Sequence, residues 1–194
     1  MSKYNRQDIL QAGVKLLMRE GYAGLGVQRV LKECGIPKGS FYHFFESKEA
    51  FVIETLDFYI TNLTGELKRI DETPGLSPLE KYYESFTVTV EILRTGEYQL
   101  TCPLLTILTD NIEDGTIREV LKEKFQEQEA LGVKWIREGQ EAGEIQTEMD
   151  PEELNKFLVN GFYGAMIRSK HEESMAPFMR FRESLAPYLL EARG

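Results

Sequence analysis

Apolar residues recur at three- and four-residue spacing along most of the chain, and no stretch shows the alternating β-branched pattern of a half-buried strand. The pattern predicts an all-α fold, divided by glycine, proline and capping residues into about nine helices. The first starts at Asn5, whose side chain suits an N-cap. It buries Ile9, Gly13, Leu16 and Leu17 and ends at Gly21. The second runs from Val27 to Cys34 with Val27, Val30, Leu31 and Cys34 on one face, which makes Cys34 a core residue. Gly35 follows, where a left-handed cap costs least. Pro37 suits the first turn of a short third helix ending near Phe44, because proline lacks the N–H that would be unpaired there. Ser47 caps a long fourth helix, from Lys48 to about Arg69. Beyond the break at Asp71 to Leu76, Ser77-Pro78-Leu79-Glu80 joins a cap, a first-turn proline and a reciprocal glutamate. A fifth helix therefore starts there and stops near Gly96. Further helices are expected near 103–112, over about 116–142, from Pro151 to about Lys170, and from Pro177 to about Ala192.

Helices two and three are joined by Gly35-Ile36-Pro37, a turn short enough to make them cross steeply, as a helix-turn-helix requires. On the third helix Phe41, Phe44 and Phe45 are available for burial, while Lys38, Gly39, Ser40, Tyr42 and His43 are left outside. Short side chains at the tip allow close approach to base edges, and hydroxyl, imidazole and ammonium groups bond to phosphates and bases. A solvated face of an ordinary bundle is the bland alternative. No repeat or long linker appears, so the boundary is placed at the start of the fourth helix. This gives a helix-turn-helix unit over 1–47 and a helical body over 48–194.

Charge supports this division. The 194-residue chain carries −9 overall, yet its first fifty residues hold eight basic side chains against five acidic ones, leaving −12 for the remainder. A locally basic segment on an acidic body is the distribution that phosphate contacts need. The acidic total keeps a rival open, an interaction module that has the fold without DNA binding. An enzyme is not expected, for want of a nucleophile beside a base, a phosphate-cradling glycine loop or a metal cluster. Two histidines and two widely separated cysteines, Cys34 and Cys102, give no metal-site spacing, so neither metal nor cofactor is expected. The polar start and the lack of an apolar run of roughly 20 residues predict no signal peptide and no membrane partner, with a cytoplasmic address by default.

The run from Gly35 to Phe51 resembles the signature of the TetR family of transcriptional regulators: a turn, a recognition helix ending in Tyr-x-x-Phe, then Ser-Lys-Glu. The match extends back through Val27, Tyr22, Gly21 and Ile9, about the first quarter of the chain. The resemblance implies that Lys38, Gly39 and Ser40 meet base edges or phosphates and that Tyr42 and His43 contact backbone or bases. Gln28 and Lys48 match positions that commonly touch phosphate. It also implies a repressor released from its operator by an effector.

Beyond residue 60 the helix patterns carry the reading. Leu154, Phe157, Leu158, Gly161, Phe162, Ala165 and Met166 form a stripe, and Phe178, Met179, Phe181, Leu185 and Leu189 a second. Those are more apolar positions than one neighbour covers. A two-fold homodimer interface of four helices is therefore expected, with burial inside the monomer as the alternative. Two recognition helices set by that symmetry would read a palindromic double-stranded operator with half-sites about 34–36 Å apart, or a multiple of that. The fourth helix is the expected lever for an effector. Cys102, just before Pro103, sits where a helix N-terminus favours thiolate. The segments Thr101 to Leu105 and Gly164 to Lys170 resemble the TetR subgroup that senses N-ethylmaleimide, quinones and other electrophiles, although Thr101 and Pro103 depart from it. That resemblance implies Cys102 as a redox-sensing thiol, with Lys170 as its amine neighbour. A buried free cysteine, or a reversible small-molecule pocket among aromatic residues such as Tyr82, Phe86 and Trp135, is the alternative.

Overall fold

The structure is a computed structural model and describes residues 5–95, 115–185 and 189. Among the described residues there are eight helices and no strand: α1 (Arg6–Gly24), α2 (Val27–Cys34), α3 (Lys38–Phe44), α4 (Lys48–Asp71), α5 (Pro78–Thr95), α6 (Gly115–Glu141), α7 (Pro151–His171) and α8 (Ala176–Glu183). The helix expected near 103–112 lies outside the described residues, as does Cys102. None of the described helices is long and apolar enough to cross a membrane.

Helix starts follow the caps. The Asn5 side chain accepts from the N–H of Gln7 at 3.1 Å, and Ser47 Oγ accepts from the N–H of Ala50 at 3.0 Å. Ser77 and Glu80 form the reciprocal box, with Glu80 Oε2 accepting from the Ser77 N–H at 2.8 Å and Ser77 Oγ from the Glu80 N–H at 3.3 Å. Asp150 caps α7 by accepting from the N–H groups of Glu152 and Glu153. Gly21 interrupts α1 with φ 71° and ψ −179°, a conformation open to glycine almost alone, and helical turns resume at Tyr22. Pro37 is the residue before α3 and not part of its first turn, with an extended ψ of 152°.

The chain packs as two compact units. One comprises the described residues up to Asn62 and those from 115 to Lys122; the other comprises the described residues 63–95 and those from Glu123 onward. In the second unit α5, α6 and α7 meet around a buried polar pair. Tyr82 and Asn155 are 1% and 2% exposed. Tyr82 donates its hydroxyl hydrogen to Asn155 Oδ1 at 3.0 Å. Gly132 on α6 leaves room for that amide, since a Cβ there would lie 2.3 Å from Asn155 Oδ1. Burial in this apolar setting pushes the Tyr82 hydroxyl far above the ordinary phenol range.

The apolar stripes of α7 and α8 divide their labour. Leu154, Leu158, Phe162, Ala165, Met166, Phe178, Leu185 and Leu189 are buried within the chain. Phe157, Ile167 and Met179 remain about half exposed. Gly161 serves an internal contact, because a Cβ there would lie 2.7 Å from the Phe181 ring. Covering the inner half of each stripe therefore takes no second chain, and the outer positions are what remains for a partner.

Asp71, the last residue of α4, ties that helix to two others. Its carboxylate accepts from Lys134 Nζ at 2.8 and 2.9 Å and from Trp135 Nε1 at 2.8 Å. Lys81 Nζ donates to its backbone carbonyl at 2.6 Å. Burial pushes the carboxyl up, but the hydrogen bonds from Lys134 and Trp135 and the charges of Lys134 and Lys81 outweigh it and hold Asp71 below the ordinary carboxylate range. A group lowered in this way contributes stability above its unfolded pKa of about 3.9 and loses it as pH falls through the folded value. Asp71→Asn is expected to lower unfolding free energy by about 1–2 kcal/mol at neutral pH, Lys134 being partly exposed. The deficit should shrink below about pH 4. Urea denaturation followed by Trp135 fluorescence checks both points; equal stability at neutral pH would count against the ion-pair account.

Candidate nucleic-acid interface

The first unit is built on three rings beneath α3. Phe41 and Phe45 are 0% and 1% exposed, and Phe51 on α4 is 1% exposed. Phe41 lies 5.3 Å from the Phe45 ring and 5.3 Å edge-on to that of Phe51, while Phe45 and Phe51 are 4.9 Å apart. Such tilted and edge-on pairs add to the stabilisation from burying area. α4 approaches α1 closely at Gly13, where a Cβ would lie 2.5 Å from Phe51 Cζ and 2.8 Å from Thr55 Oγ1. Thr55 turns its hydroxyl inward to donate to the Phe51 carbonyl at 2.7 Å.

Gly35 sets the angle between α2 and α3. It adopts φ 63° and ψ 33°, and its N–H bonds back to the end of α2. The Ile36 N–H closes the turn onto the Leu31 carbonyl at 3.0 Å. Ile36 is buried, so the turn is fixed from inside as well.

With Phe41 committed inward, the opposite side of α3 faces outward. Lys38, Gly39 and His43 are exposed, Tyr42 is 50% exposed and Ser40 is half-buried. Gly39, Tyr42 and His43 share one face by helical spacing. Gln28 is exposed in the first turn of α2, and Lys48 is half-buried in the first turn of α4. The seven residues singled out in the sequence for DNA contact thus lie in one packing unit, with Lys38 to His43 on a single short helix. Lys170 is exposed near the end of α7 in the other unit, and Cys102, its expected neighbour, lies outside the described residues. Cys34 is half-buried and not core. Burial, with Glu33 and Asp8 nearby, pushes its thiol up, which makes it a poor nucleophile.

Three arginines of this unit are paired with carboxylates. Arg6 pairs with Glu54, Arg19 with Glu20 and Glu33, and Arg29 with Glu20. Lys38 has no ion-pair partner among the described residues. Lys48 places its ammonium 4.7 Å from the centre of the Tyr22 ring. Sequence reading matched Tyr22 to the motif but assigned it no role; only the bend at Gly21 shows where its ring goes.

The family described as bacterial regulatory proteins, tetR family, matches residues 9–55. The tetracyclin repressor-like C-terminal domain matches residues 75–185. The chain belongs to the tetR family of bacterial regulatory proteins. Membership makes it a DNA-binding transcriptional regulator. This TetR-family chain is 30% identical over 181 residues to the HTH-type transcriptional repressor DhaR of Mycobacterium sp. (strain GP1), covering 91% of this chain and 87% of that one. It is 44% identical over 93 residues to the repressor NemR of Escherichia coli, covering 47% of this chain and 35% of NemR. Among solved structures, a TetR/AcrR family regulator superposes with a TM-score of 0.78 at 31% identity, covering 94% of this chain and 97% of that one. The reduced form of E. coli NemR superposes with a TM-score of 0.84 at 20% identity, covering 97% and 99%, a likeness of fold.

The positive φ at Gly35 occurs with open space around the missing Cβ, so replacement there costs conformational energy and not a clash. Gly35→Val is expected to destabilise the chain by about 1–2 kcal/mol, and Gly35→Asn by less, because asparagine tolerates the left-handed region. Thermal denaturation of the two variants checks the order; a Val variant as stable as the Asn variant would contradict it.

Proposed function

We propose that the chain is a homodimeric transcriptional repressor in which residues 1–47 bind a palindromic operator and residues 48–194 dimerise and sense a small-molecule or electrophile signal. The observation that carries this reading is the outward face of α3. Phe41 anchors the helix, and Lys38, Gly39, Tyr42 and His43 project from it. In this reading Lys38, Gly39 and Ser40 meet base edges or phosphates, Tyr42 and His43 contact bases or backbone, and Gln28 and Lys48 hold phosphates. The relatives named as repressors, DhaR and NemR, support repression over activation.

Dimerisation rests on the outer face of α7 and α8. Phe157, Gly161, Ala165, Arg168, Pro177 and Phe181 are among the residues lining a groove of about 370 Å³ there. Phe157 and Met179 stand half exposed on the same two helices, an apolar surface of the kind a two-fold partner covers.

Cys102 is the proposed thiol sensor, with Lys170 exposed on α7 as a candidate amine neighbour. The resemblance of the segments Thr101 to Leu105 and Gly164 to Lys170 to the electrophile-sensing subgroup supports a signal of this chemistry. A reversible, hydrogen-bonding effector is the second reading. The hydroxyls of Thr64 and Ser169, 4% and 0% exposed, find no hydrogen-bond partner among the described residues, and a polar ligand would satisfy them.

Selection of bound duplexes from random DNA, with and without N-ethylmaleimide, tests the whole reading. A palindromic site is expected, with affinity falling steeply with salt. Binding with no sequence preference would defeat the operator assignment. N-ethylmaleimide should release that duplex from the wild type and not from Cys102→Ser; equal release from both rules Cys102 out.

A further inference from the structure

We propose that Tyr22 is a positioning residue for DNA binding, its ring holding the Lys48 ammonium in place for a phosphate without neutralising it. The inference rests on the phosphate role given to Lys48 above. A lysine side chain has four rotatable bonds, and ordering it on a phosphate costs conformational entropy unless it is ordered beforehand. Nearby arginines are ordered by carboxylates: Arg19 and Arg29 are held by Glu20 and Glu33. A carboxylate orders a cation but cancels the charge that a phosphate needs. An aromatic face attracts the ammonium through its quadrupole and leaves the full positive charge in place.

Lys48 is treated in this second way, with Nζ 4.7 Å from the Tyr22 ring centre and no ion-pair partner among the described residues, whereas Arg6, which also lies over a ring, that of Phe45, is paired with Glu54 as well. Both ends of the contact are anchored. Gly21, at φ 71° and ψ −179°, breaks α1 so that Tyr22 leaves its axis, and the Tyr22 carbonyl accepts from the Leu25 N–H at 3.2 Å. Lys48 opens α4, whose first turn is fixed by Ser47 Oγ on the Ala50 N–H at 3.0 Å. Tyr22 and Lys48 are each half-buried, so the stack keeps a side open to solvent.

The test is a double-substitution cycle on the duplex recovered by selection, with helical content and melting temperature recorded for every variant. Lys48→Gln should weaken binding and reduce the salt slope by about 0.9 for each protomer bound, or about 1.8 for a dimer on a palindromic duplex. Tyr22→Leu should weaken binding roughly two- to fivefold for each protomer bound while Lys48 is present and have no further effect in the Lys48→Gln background. Tyr22→Phe, which keeps the ring, should bind as the wild type does. In the free protein, the Lys48 side-chain protons should show an upfield ring-current shift that persists in Tyr22→Phe and vanishes in Tyr22→Leu, a readout independent of DNA. Multiplying effects of the two substitutions, an absent ring-current shift, or a Phe variant as weak as the Leu variant would overturn the positioning role while leaving the Lys48 contact standing. A Lys48→Gln variant with unchanged affinity and slope would overturn the phosphate contact itself and the inference with it.

Discussion

A seven-residue helix has fewer than two turns' worth of internal hydrogen bonds and does not hold its shape alone in water. α3 exists because Phe41 is wholly buried between Phe45 and Phe51. That one side chain fixes which face of α3 is inside, and so fixes the rotation of every residue on the other side. The position of Gly13 extends the same constraint to α1, because the Phe51 ring fills the space a larger side chain would need. The outward face is thus a consequence of core packing, held with the rigidity of a close-packed interior.

Charge in the first unit follows a similar economy. A basic excess counted from the sequence suggests that all its cations are available to a polyanion, yet the arginines at 6, 19 and 29 are engaged by carboxylates of the same unit. Such pairs are exposed and add little stability. Their effect is to reduce the nonspecific cationic field of this unit, while Lys38 keeps its charge without an ion-pair partner among the described residues. An acidic protein that must still approach DNA gains selectivity from this arrangement, since its attraction is local and strongly screened by salt.

Features that depend on a few neighbouring residues were legible in the sequence. The caps at Asn5, Ser47 and Ser77 and the left-handed Gly35 follow from local backbone geometry and appear where expected. The outward set on α3 was legible for a related reason: with two phenylalanines on its seven residues and a third just after them, the inward side had little freedom of choice. Features that depend on distant partners were not. Cys34 has the spacing of a core residue but lies at the edge of α2, half-exposed. The stripes on α7 and α8 showed how many apolar positions needed cover, and only the packing shows which are covered within the chain. Asp71 reads as part of a polar loop, yet Lys134 and Trp135, more than sixty residues away, make it a junction.

The Tyr82–Asn155 pair has a consequence for how the second unit responds to a signal. A polar contact enclosed by apolar side chains, with Gly132 cut to its shape, has one good register. Small slides of α7 along its neighbours would strand the amide and the phenol without partners, which is costly in a water-free interior. The helices of this unit are therefore suited to switching between discrete packings and resist gradual deformation, so a bound signal would be answered in steps.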